Sequence, residues 1–247
     1  MAFRLLTYNI RLGGAGRVDP LARIINACAP DVVLLQEATR PAVVEQLAGK
    51  TGMREWRALQ GQSLGYMSRQ PVEHVAWHRP RVSRHAFLEV IPAGSPLRLF
   101  GVHLSAIHAA WTEQHRLYEL RALLRSIKDR QDGLHVLAGD FNTLAPGAEL
   151  DVRRLPLRLR PFVWLSGGRI RWRTIQTVLN AGYVDAFRTK HPDDPGWTVP
   201  STDPQVRLDY AFLPAAFAGR IMSCDVVRHP EVSRASDHHP LVLELGG

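Results

Sequence analysis

The chain has 247 residues, of which 45% are hydrophobic, and a formal net charge of +8. No run of 18 or more apolar residues occurs, which excludes a transmembrane helix, and the opening MAFRLLTYNI lacks the layout of a signal peptide. We therefore expect a cytoplasmic monomer that forms a single domain over residues 1–247, a length near the upper end for one domain.

The first half of the chain alternates strand-like and helical patterns. Residues 3–8 are β-prone, and Asp19 and Pro20 predict the start of a helix with Asp19 as its N-cap. A continuous apolar run at 31–35 predicts a strand buried on both faces, and 41–47 predicts a second helix. Shorter runs separated by Pro and Gly then predict an antiparallel sheet, at 63–67, 72–78, 86–91 and 97–104.

The second half begins with the longest predicted helix, at residues 112–130, where leucines and an isoleucine keep helical spacing. Another buried strand is predicted at 134–138. Three strands close the chain, at 208–213, 222–227 and 241–245. Strands and helices alternate in the first part of the chain, and strands follow one another in series later. This order predicts an α/β fold of two packed mixed β-sheets with helices outside.

Polar residues recur at the ends of these predicted strands. They are Asn9, Glu37, His103, Asp140, Asn142, Asp209, Asp237 and His238. Each one alone is explained by a turn, a cap or a satisfied buried histidine. Their recurrence at so many strand ends is typical of functional groups on loops that a rigid sheet holds.

The chemistry of this set suits hydrolysis of a phosphate ester with a divalent metal ion. Glu37 and Asp237 offer carboxylate oxygens and Asn9 a neutral oxygen, which suits Mg²⁺, with Mn²⁺ as the alternative. Histidines can act as acid, base or donor, and Asn142 can donate to a phosphoryl oxygen. Zinc is disfavoured because the chain has no paired-cysteine or HExxH spacing, and a serine nucleophile because it has no GxSxG turn.

Six segments, in this order, resemble the endonuclease/exonuclease/phosphatase superfamily. That superfamily includes deoxyribonuclease I, exonuclease III-type abasic-site endonucleases, neutral sphingomyelinases and inositol polyphosphate 5-phosphatases. The segments are LLTYNIRLG at 5–13, DVVLLQE at 31–37, GVHLS at 101–105, LAGDFN at 137–142, RLDYAFL at 207–213 and SDHHP at 236–240. The resemblance implies a four-layered α/β sandwich whose site lies at one end of the two sheets.

The resemblance also assigns roles around the metal ion. It implies that Glu37 is the principal ligand, with Asn9 and Asp237 helping through oxygen atoms or water. Some abasic-site endonucleases carry an acidic residue two positions after the asparagine. Here that position is Arg11, so a second metal ligand is absent there.

On the phosphate side the resemblance implies a carboxylate–histidine pair and three further groups. Asp209 orients His238, which acts as base or contacts phosphate. Asp140 aligns or deprotonates the attacking water, or assists the leaving group, and the division of roles between Asp140 and His238 stays open. Asn142 donates to a phosphate oxygen, and His103 contacts phosphate or acts as acid.

The substrate is less clearly indicated than the reaction. Residues 151–173 carry seven arginines among tryptophan and phenylalanine, which suits a nucleic-acid backbone and bases, an anionic membrane surface, or an insertion that packs on the core. The residues predicted to bind substrate are Arg169, Arg171, Trp172 and, before the RLDYAFL segment, Trp197.

Three functions remain open at this point. The first is a metal-dependent nuclease that hydrolyses phosphodiester bonds of DNA or RNA, which the net charge and the arginine-rich segment favour. The second is a phosphodiesterase or phosphatase for anionic lipids or small phosphate esters. The third is a catalytically inactive nucleic-acid-binding module, which has no reason to retain the whole polar set.

Overall fold

The computed structural model describes residues 2–81, 85–105, 110–130, 133–148, 153 and 173–247. Within them the chain forms two six-stranded mixed sheets. In spatial order, the strands of the first sheet are β11 (Ile221–Val226), β12 (Leu241–Leu245), β1 (Phe3–Asn9), β2 (Val32–Gln36), β4 (Gly65–Ser68) and β3 (Glu55–Ala58). In the second sheet they are β5 (Val72–His78), β6 (Phe87–Pro92), β7 (Arg98–His103), β8 (His135–Asp140), β10 (Asp209–Pro214) and β9 (Tyr183–Asp185).

Each sheet has one parallel pair of strands at its centre. In the first sheet β1 runs parallel to β2, and in the second sheet β7 runs parallel to β8. The strands β2 and β8 are buried along their whole length, as their continuous apolar runs predict. Parallel neighbours bring their carboxyl ends to the same edge of the sheet, and this edge carries the polar strand ends.

Helices cover the outer face of each sheet, except for the short helix Ala186–Lys190, whose Ala186 and Phe187 pack into the apolar cluster between the sheets. The helices are α1 (Val18–Cys28), α2 (Pro41–Thr51), α3 (Ala110–Ser126), α4 (Arg173–Asn180), α5 (Ala186–Lys190) and α6 (Val232–Ala235). Short 3₁₀ turns lie at Leu12–Gly14, Lys128–Arg130 and Ala215–Arg220. Pro41 begins α2, where its fixed backbone angle suits a first turn, and Gly52 ends it in a left-handed conformation.

Three apolar clusters separate four layers. One lies between the two sheets and includes Leu34, Val136 and Leu243. A second joins the first sheet to α1 and α2, through residues such as Ile24. A third joins the second sheet to α3 and α4, through residues such as Leu123. The predicted α/β sandwich of two packed mixed sheets flanked by helices is therefore confirmed.

Two local predictions are wrong. The first helix begins at Val18, so Asp19 lies inside its first turn, and the exposed Asp19 carboxylate pairs with Lys50 Nζ at 2.8 Å instead of capping the helix. The run at 63–67 belongs to the first sheet, where β4 pairs with β2 and with β3. The four runs predicted as one antiparallel sheet are thus divided between two sheets. None of the helices in the described ranges is both long enough and apolar enough to cross a membrane.

Candidate active site

The polar strand ends of both sheets meet at one edge because of the strand register. Parallel pairing places Asn9 beside Gln36, so Glu37 follows directly beyond it. In the second sheet His103 lies beside Asp140, and the antiparallel strand β10 places Asp209 on the other side of Asp140. The ends of five strands, which are far apart along the chain, thus reach neighbouring positions.

A hydrogen bond between buried side chains joins the two sheets at this edge. Asn9 Nδ2 donates to Asp140 Oδ2 at 3.0 Å. The loop before β12 reaches the same place, because Ser236 Oγ donates to the Asn9 carbonyl at 2.6 Å and accepts from the His238 backbone N–H at 3.2 Å. Asn9 and Ser236 therefore fix how the loop that carries His238 lies over the second sheet.

The predicted carboxylate–histidine pair forms in the structure. His238 Nδ1 lies 2.9 Å from Asp209 Oδ2, and His238 Nε2 lies 3.8 Å from Asp140 Oδ2. Burial opposes charge on His238, but Asp209 and Asp140 together raise the pKa of this imidazole above its ordinary value. Burial raises the pKa of Asp140, while the nearby His238 works in the opposite direction. Both buried carboxylates thus favour the protonated form of this imidazole.

The same three residues have the spacing of metal ligands. Asp140, Asp209 and His238 each offer one atom within 4.8 Å of the others, the one group of this kind among the described histidines, cysteines and acids. The Nδ1 atom of His238 is already hydrogen-bonded to Asp209. We therefore interpret Asp209 and His238 as a pair that binds and transfers a proton. Asp140 beside them is a buried carboxylate whose negative charge needs a nearby positive charge.

The first sheet contributes a more open set. Glu37 is half-buried, and its Oε2 accepts from the Leu12 backbone N–H at 2.5 Å. Arg11 Nε lies 3.5 Å from Asp237 Oδ2, and both side chains are about half exposed. Asn9 Oδ1 accepts from the Arg11 backbone N–H at 3.0 Å. The carboxylates of Glu37 and Asp237 at an accessible rim, with the amide oxygen of the buried Asn9 beside them, are a donor set that fits Mg²⁺ or Mn²⁺.

The backbone at this rim is in unusual conformations. Arg11, Leu12 and Glu37 have φ angles of 51°, 48° and 56°, in the left-handed region. Such conformations cost about 1–3 kcal/mol each and cluster at functional sites. Arg17 holds the turn in place, because its guanidinium donates to the carbonyls of Arg11 and Ala235.

The side of the site that is predicted to contact phosphate is buried and hydrogen-bonded. His103 Nδ1 is hydrogen-bonded to Ser63 Oγ, and His103 Nε2 lies 3.8 Å from Asp140 Oδ2. The imidazole of His85 stacks on that of His103, with ring centroids 4.8 Å apart. Asn142 has a φ of 51°, and its Nδ2 donates to the Leu104 carbonyl at 3.0 Å.

Two residues with structural roles at the site were missed by the sequence reasoning. Ser63 Oγ accepts from the Glu37 backbone N–H at 3.2 Å as well as bonding His103, so it connects the two sides. Nothing in the sequence singles out Ser63, because it lies in a loop before a strand. Ser236 lies inside the SDHHP segment, and its place in that motif is the signal by which the sequence could have identified it.

Of the residues predicted to bind substrate, three lie outside the described residues: Arg169, Arg171 and Trp172. Trp197 is half-buried, and its carbonyl accepts from Arg228 Nη2 at 2.7 Å. It lines a cavity of about 470 Å³ together with Leu144 and Tyr210. These two residues lie two positions after Asn142 and one after Asp209, so the cavity adjoins the loops of the site.

A sequence profile of the Endonuclease/Exonuclease/phosphatase family matches residues 6–238. The chain belongs to this family. It is therefore an enzyme that hydrolyses phosphate esters, and the polar strand ends form its candidate active site. No curated protein matches the chain in sequence.

Solved structures with the same fold include DNA-related enzymes. An AP endonuclease from Archaeoglobus fulgidus has a TM-score of 0.75 and 17% identity, with 98% of each chain covered. A 3'-5' exonuclease (NExo) from Neisseria meningitidis has a TM-score of 0.73 and 18% identity, covering 99% of this chain and 100% of the other. A structure of the 3' phosphatase NExo from Neisseria, bound to a product DNA hairpin, has a TM-score of 0.71 and 19% identity, with coverages of 99% and 100%. At these identities the likeness concerns the fold.

Proposed function

We propose that this enzyme is a nuclease that uses a divalent metal ion to hydrolyse phosphodiester bonds of DNA or RNA. The observation that carries the proposal is the meeting of the two sheets at Asp140. Its carboxylate is bonded to Asn9 and lies 3.8 Å from both His103 and His238. The Asn9 amide and the imidazoles of His103 and His238 thus surround the Asp140 carboxylate between the sheets. The carboxylates of Glu37 and Asp237 lie at the open rim next to this group.

Glu37, Asn9 and Asp237 would hold the metal, which is Mg²⁺ or Mn²⁺ in this proposal. When bound, such an ion neutralises charge on the phosphate. A half-buried Glu37 and a half-exposed Asp237 leave room for the substrate and water that Mg²⁺ usually keeps. Arg11 lies where a further acidic ligand would stand, which supports a single metal ion.

The chain's own groups prepare the water and hold the phosphate. Asp209 orients His238 through Nδ1 at 2.9 Å and leaves Nε2 directed towards Asp140. A water near Asp140 can lose its proton to this carboxylate, while His238 and His103 donate to phosphate oxygens. Asn142 is held at the same edge by Leu104 and supplies an amide donor.

A nucleic-acid substrate is supported by charge and by the structural neighbours. The net charge of +8 favours a polyanion. The neighbours are named as an AP endonuclease and a 3'-5' exonuclease, and one NExo structure holds a product DNA hairpin. Arg169, Arg171, Trp172 and Trp197 remain the predicted substrate contacts. Single-domain, monomeric and cytoplasmic character also remain predictions.

A substrate panel tests this proposal. The purified protein would be offered abasic DNA, single-stranded DNA, RNA, sphingomyelin and inositol phosphates, each in Mg²⁺, Mn²⁺ or EDTA. We expect cleavage of at least one nucleic acid, lost in EDTA and in Asp140→Ala. Turnover of lipid or inositol phosphates alone would overturn the nuclease assignment and favour a phosphatase. Tight nucleic-acid binding without cleavage would point to an inactive binding module.

A further inference from the structure

Helix α3 buries three charged side chains on the face that lies towards the active site. Glu113, Arg116 and Glu119 are spaced three residues apart and are only 4%, 3% and 0% exposed. Arg121, on the same helix, is exposed. Charged residues are almost never buried so completely unless they are paired, so their partners indicate what they do.

The first partner is Ser105, two residues beyond His103. Its backbone N–H and its hydroxyl donate to the Glu119 carboxylate at 3.0 Å and 3.1 Å. Its carbonyl accepts from Arg116 Nη1 at 3.0 Å. Every polar group of Ser105 is therefore bound to α3, which fixes the end of β7.

The second partner is Thr143, the residue after Asn142. Thr143 Oγ1 donates to Glu113 Oε2 at 2.9 Å, and Arg116 Nε donates to the same oxygen at 3.1 Å. The Glu113–Arg116 pair thus connects the loop after β7 with the loop after β8. On its other side, Glu113 Oε1 accepts from the backbone N–H and the hydroxyl of Thr174 at 2.9 Å and 2.8 Å, at the start of α4.

Stability alone does not account for this arrangement. Replacing a buried ion pair by apolar residues of similar volume is often neutral or stabilising, because desolvation offsets most of the attraction. Several charge-assisted hydrogen bonds do, however, define positions more narrowly than apolar contacts do. The loops they hold carry His103 and Asn142, which are proposed to contact phosphate.

We propose that Glu113 and Arg116 are positioning residues that set His103 and Asn142 at a fixed separation for phosphate binding in the transition state. This rests on the proposed function, since it concerns the same site. The two residues act through Ser105 and Thr143 and do not touch the substrate. A displacement of about 1 Å in such groups can lower the rate by about 100-fold, so small shifts of either loop matter.

Two matched variants separate positioning from stability. Thr143→Val removes the hydrogen bond between Glu113 and the loop after β8, which carries Asn142. Thr174→Val removes a hydrogen bond between the same carboxylate and α4. Both threonines are buried and both changes are nearly isosteric, so we expect similar losses in Tm. We expect kcat to fall roughly 10-fold in Thr143→Val with KM within about two-fold, and to stay within about two-fold in Thr174→Val.

Further variants extend the series. Thr143→Ser retains the hydroxyl and should restore kcat, Glu113→Gln should lower kcat by about 10- to 100-fold, and Arg121→Gln is the control on the exposed side of α3. Equal kcat losses in Thr143→Val and Thr174→Val, or no loss in either, would overturn the proposal.

Hydrogen exchange of the metal-free protein supplies a readout that does not need activity. Peptides covering 101–105 and 139–148 should exchange faster in Glu113→Gln, and the second peptide should do so in Thr143→Val. Neither should change in Thr174→Val. If the wild-type protein hydrolyses nothing in the substrate panel, the proposed function fails, while unchanged exchange in Glu113→Gln overturns the positioning role separately.

Discussion

The two sides of the candidate site differ in openness. On the first sheet, Glu37 is half-buried, Asp237 is half-exposed, and Leu12 beside them is 71% exposed on a left-handed backbone. On the second sheet, Asp140 and Asp209 are buried and hydrogen-bonded. An open rim can exchange an ion, water and substrate, whereas a closed wall keeps fixed distances. The difference indicates that binding and positioning are divided between the two sheets.

The division is not complete, because two residues cross it. Asn9 belongs to the first sheet and donates to Asp140 of the second. His238 comes from the loop before β12 of the first sheet and pairs with Asp209 of the second. Substitutions on the open side should therefore mainly change the metal affinity, and substitutions on the closed side should mainly change kcat.

The largest effect is expected on the closed side, for Asp209→Asn. An amide cannot stabilise a charged imidazole as the carboxylate does, so kcat should fall by about 10³- to 10⁴-fold, as for other carboxylate–histidine pairs. Mn²⁺ affinity, measured by titration calorimetry, should stay within about three-fold because the proposed ligands are unchanged. A large loss of Mn²⁺ binding in Asp209→Asn would place the ion in the group of Asp140, Asp209 and His238.

The next effect concerns the rigidity of the closed side, at Gly139. Its φ is 150°, and an added Cβ would lie 1.9 Å from the Val102 carbonyl oxygen. Gly139→Ala must therefore separate β7 from β8, and we expect a loss of about 3 kcal/mol or more in the free energy of unfolding. Gly49→Ala is the matched control, because its Cβ would meet nothing within 4 Å in helix α2, and it should stabilise by about 0.5–1 kcal/mol. Equal denaturation midpoints for the two variants would contradict the close approach.

A smaller and reversible effect is expected on the open side, for Glu37→Gln. Loss of the principal ligand should lower kcat/KM by about 100-fold at a fixed low Mg²⁺ concentration, with partial recovery as Mg²⁺ is raised. Activity measured across a Mg²⁺ titration checks this. A loss that no Mg²⁺ concentration relieves would show that Glu37 acts in the chemical step rather than in holding the ion.

The smallest effect should come from Arg11. Its guanidinium would compete with the proposed ion for Asp237, but the pair is about half exposed and is worth about 1 kcal/mol or less. Arg11→Gln should therefore tighten Mn²⁺ binding by about two- to five-fold, as measured by calorimetry. Weaker Mn²⁺ binding in this variant would mean that Arg11 supports the ion site instead of opposing it.

Much of the fold and most of the site follow from local patterns. The strand Val72–His78 and the strand Leu241–Leu245 have the predicted bounds, because flanking Pro or Gly residues define them. The side chains of Asn9, His103, Asp140 and Asp209 lie close together, because a sheet brings its strand ends to common edges, and their roles remain predictions. The short strand Glu55–Ala58 was missed, since one buried residue in four gives no alternation to detect.

The sequence could not indicate the contacts between segments that are far apart along the chain. The bond of Ser63 to His103 spans 40 positions, and that of Glu113 to Thr174 spans 61. Ser63 begins a predicted strand and Glu113 lies in a predicted helix, and neither position distinguishes these residues from surface residues. The wrong N-cap at Asp19 has a different cause, because helix α1 begins at Val18 and therefore includes Asp19 in its first turn.

In the proposed function, phosphodiester hydrolysis occurs at the junction of the two sheets and needs a divalent ion. The most direct measurement is cleavage of end-labelled DNA and RNA by wild-type protein and by Asp140→Asn, in Mg²⁺, after EDTA, and after Mg²⁺ is restored. We expect cleavage of at least one nucleic acid by the wild type that stops in EDTA and returns with Mg²⁺, and none by Asp140→Asn. Cleavage that continues in EDTA, or that Asp140→Asn performs at the wild-type rate, would contradict it.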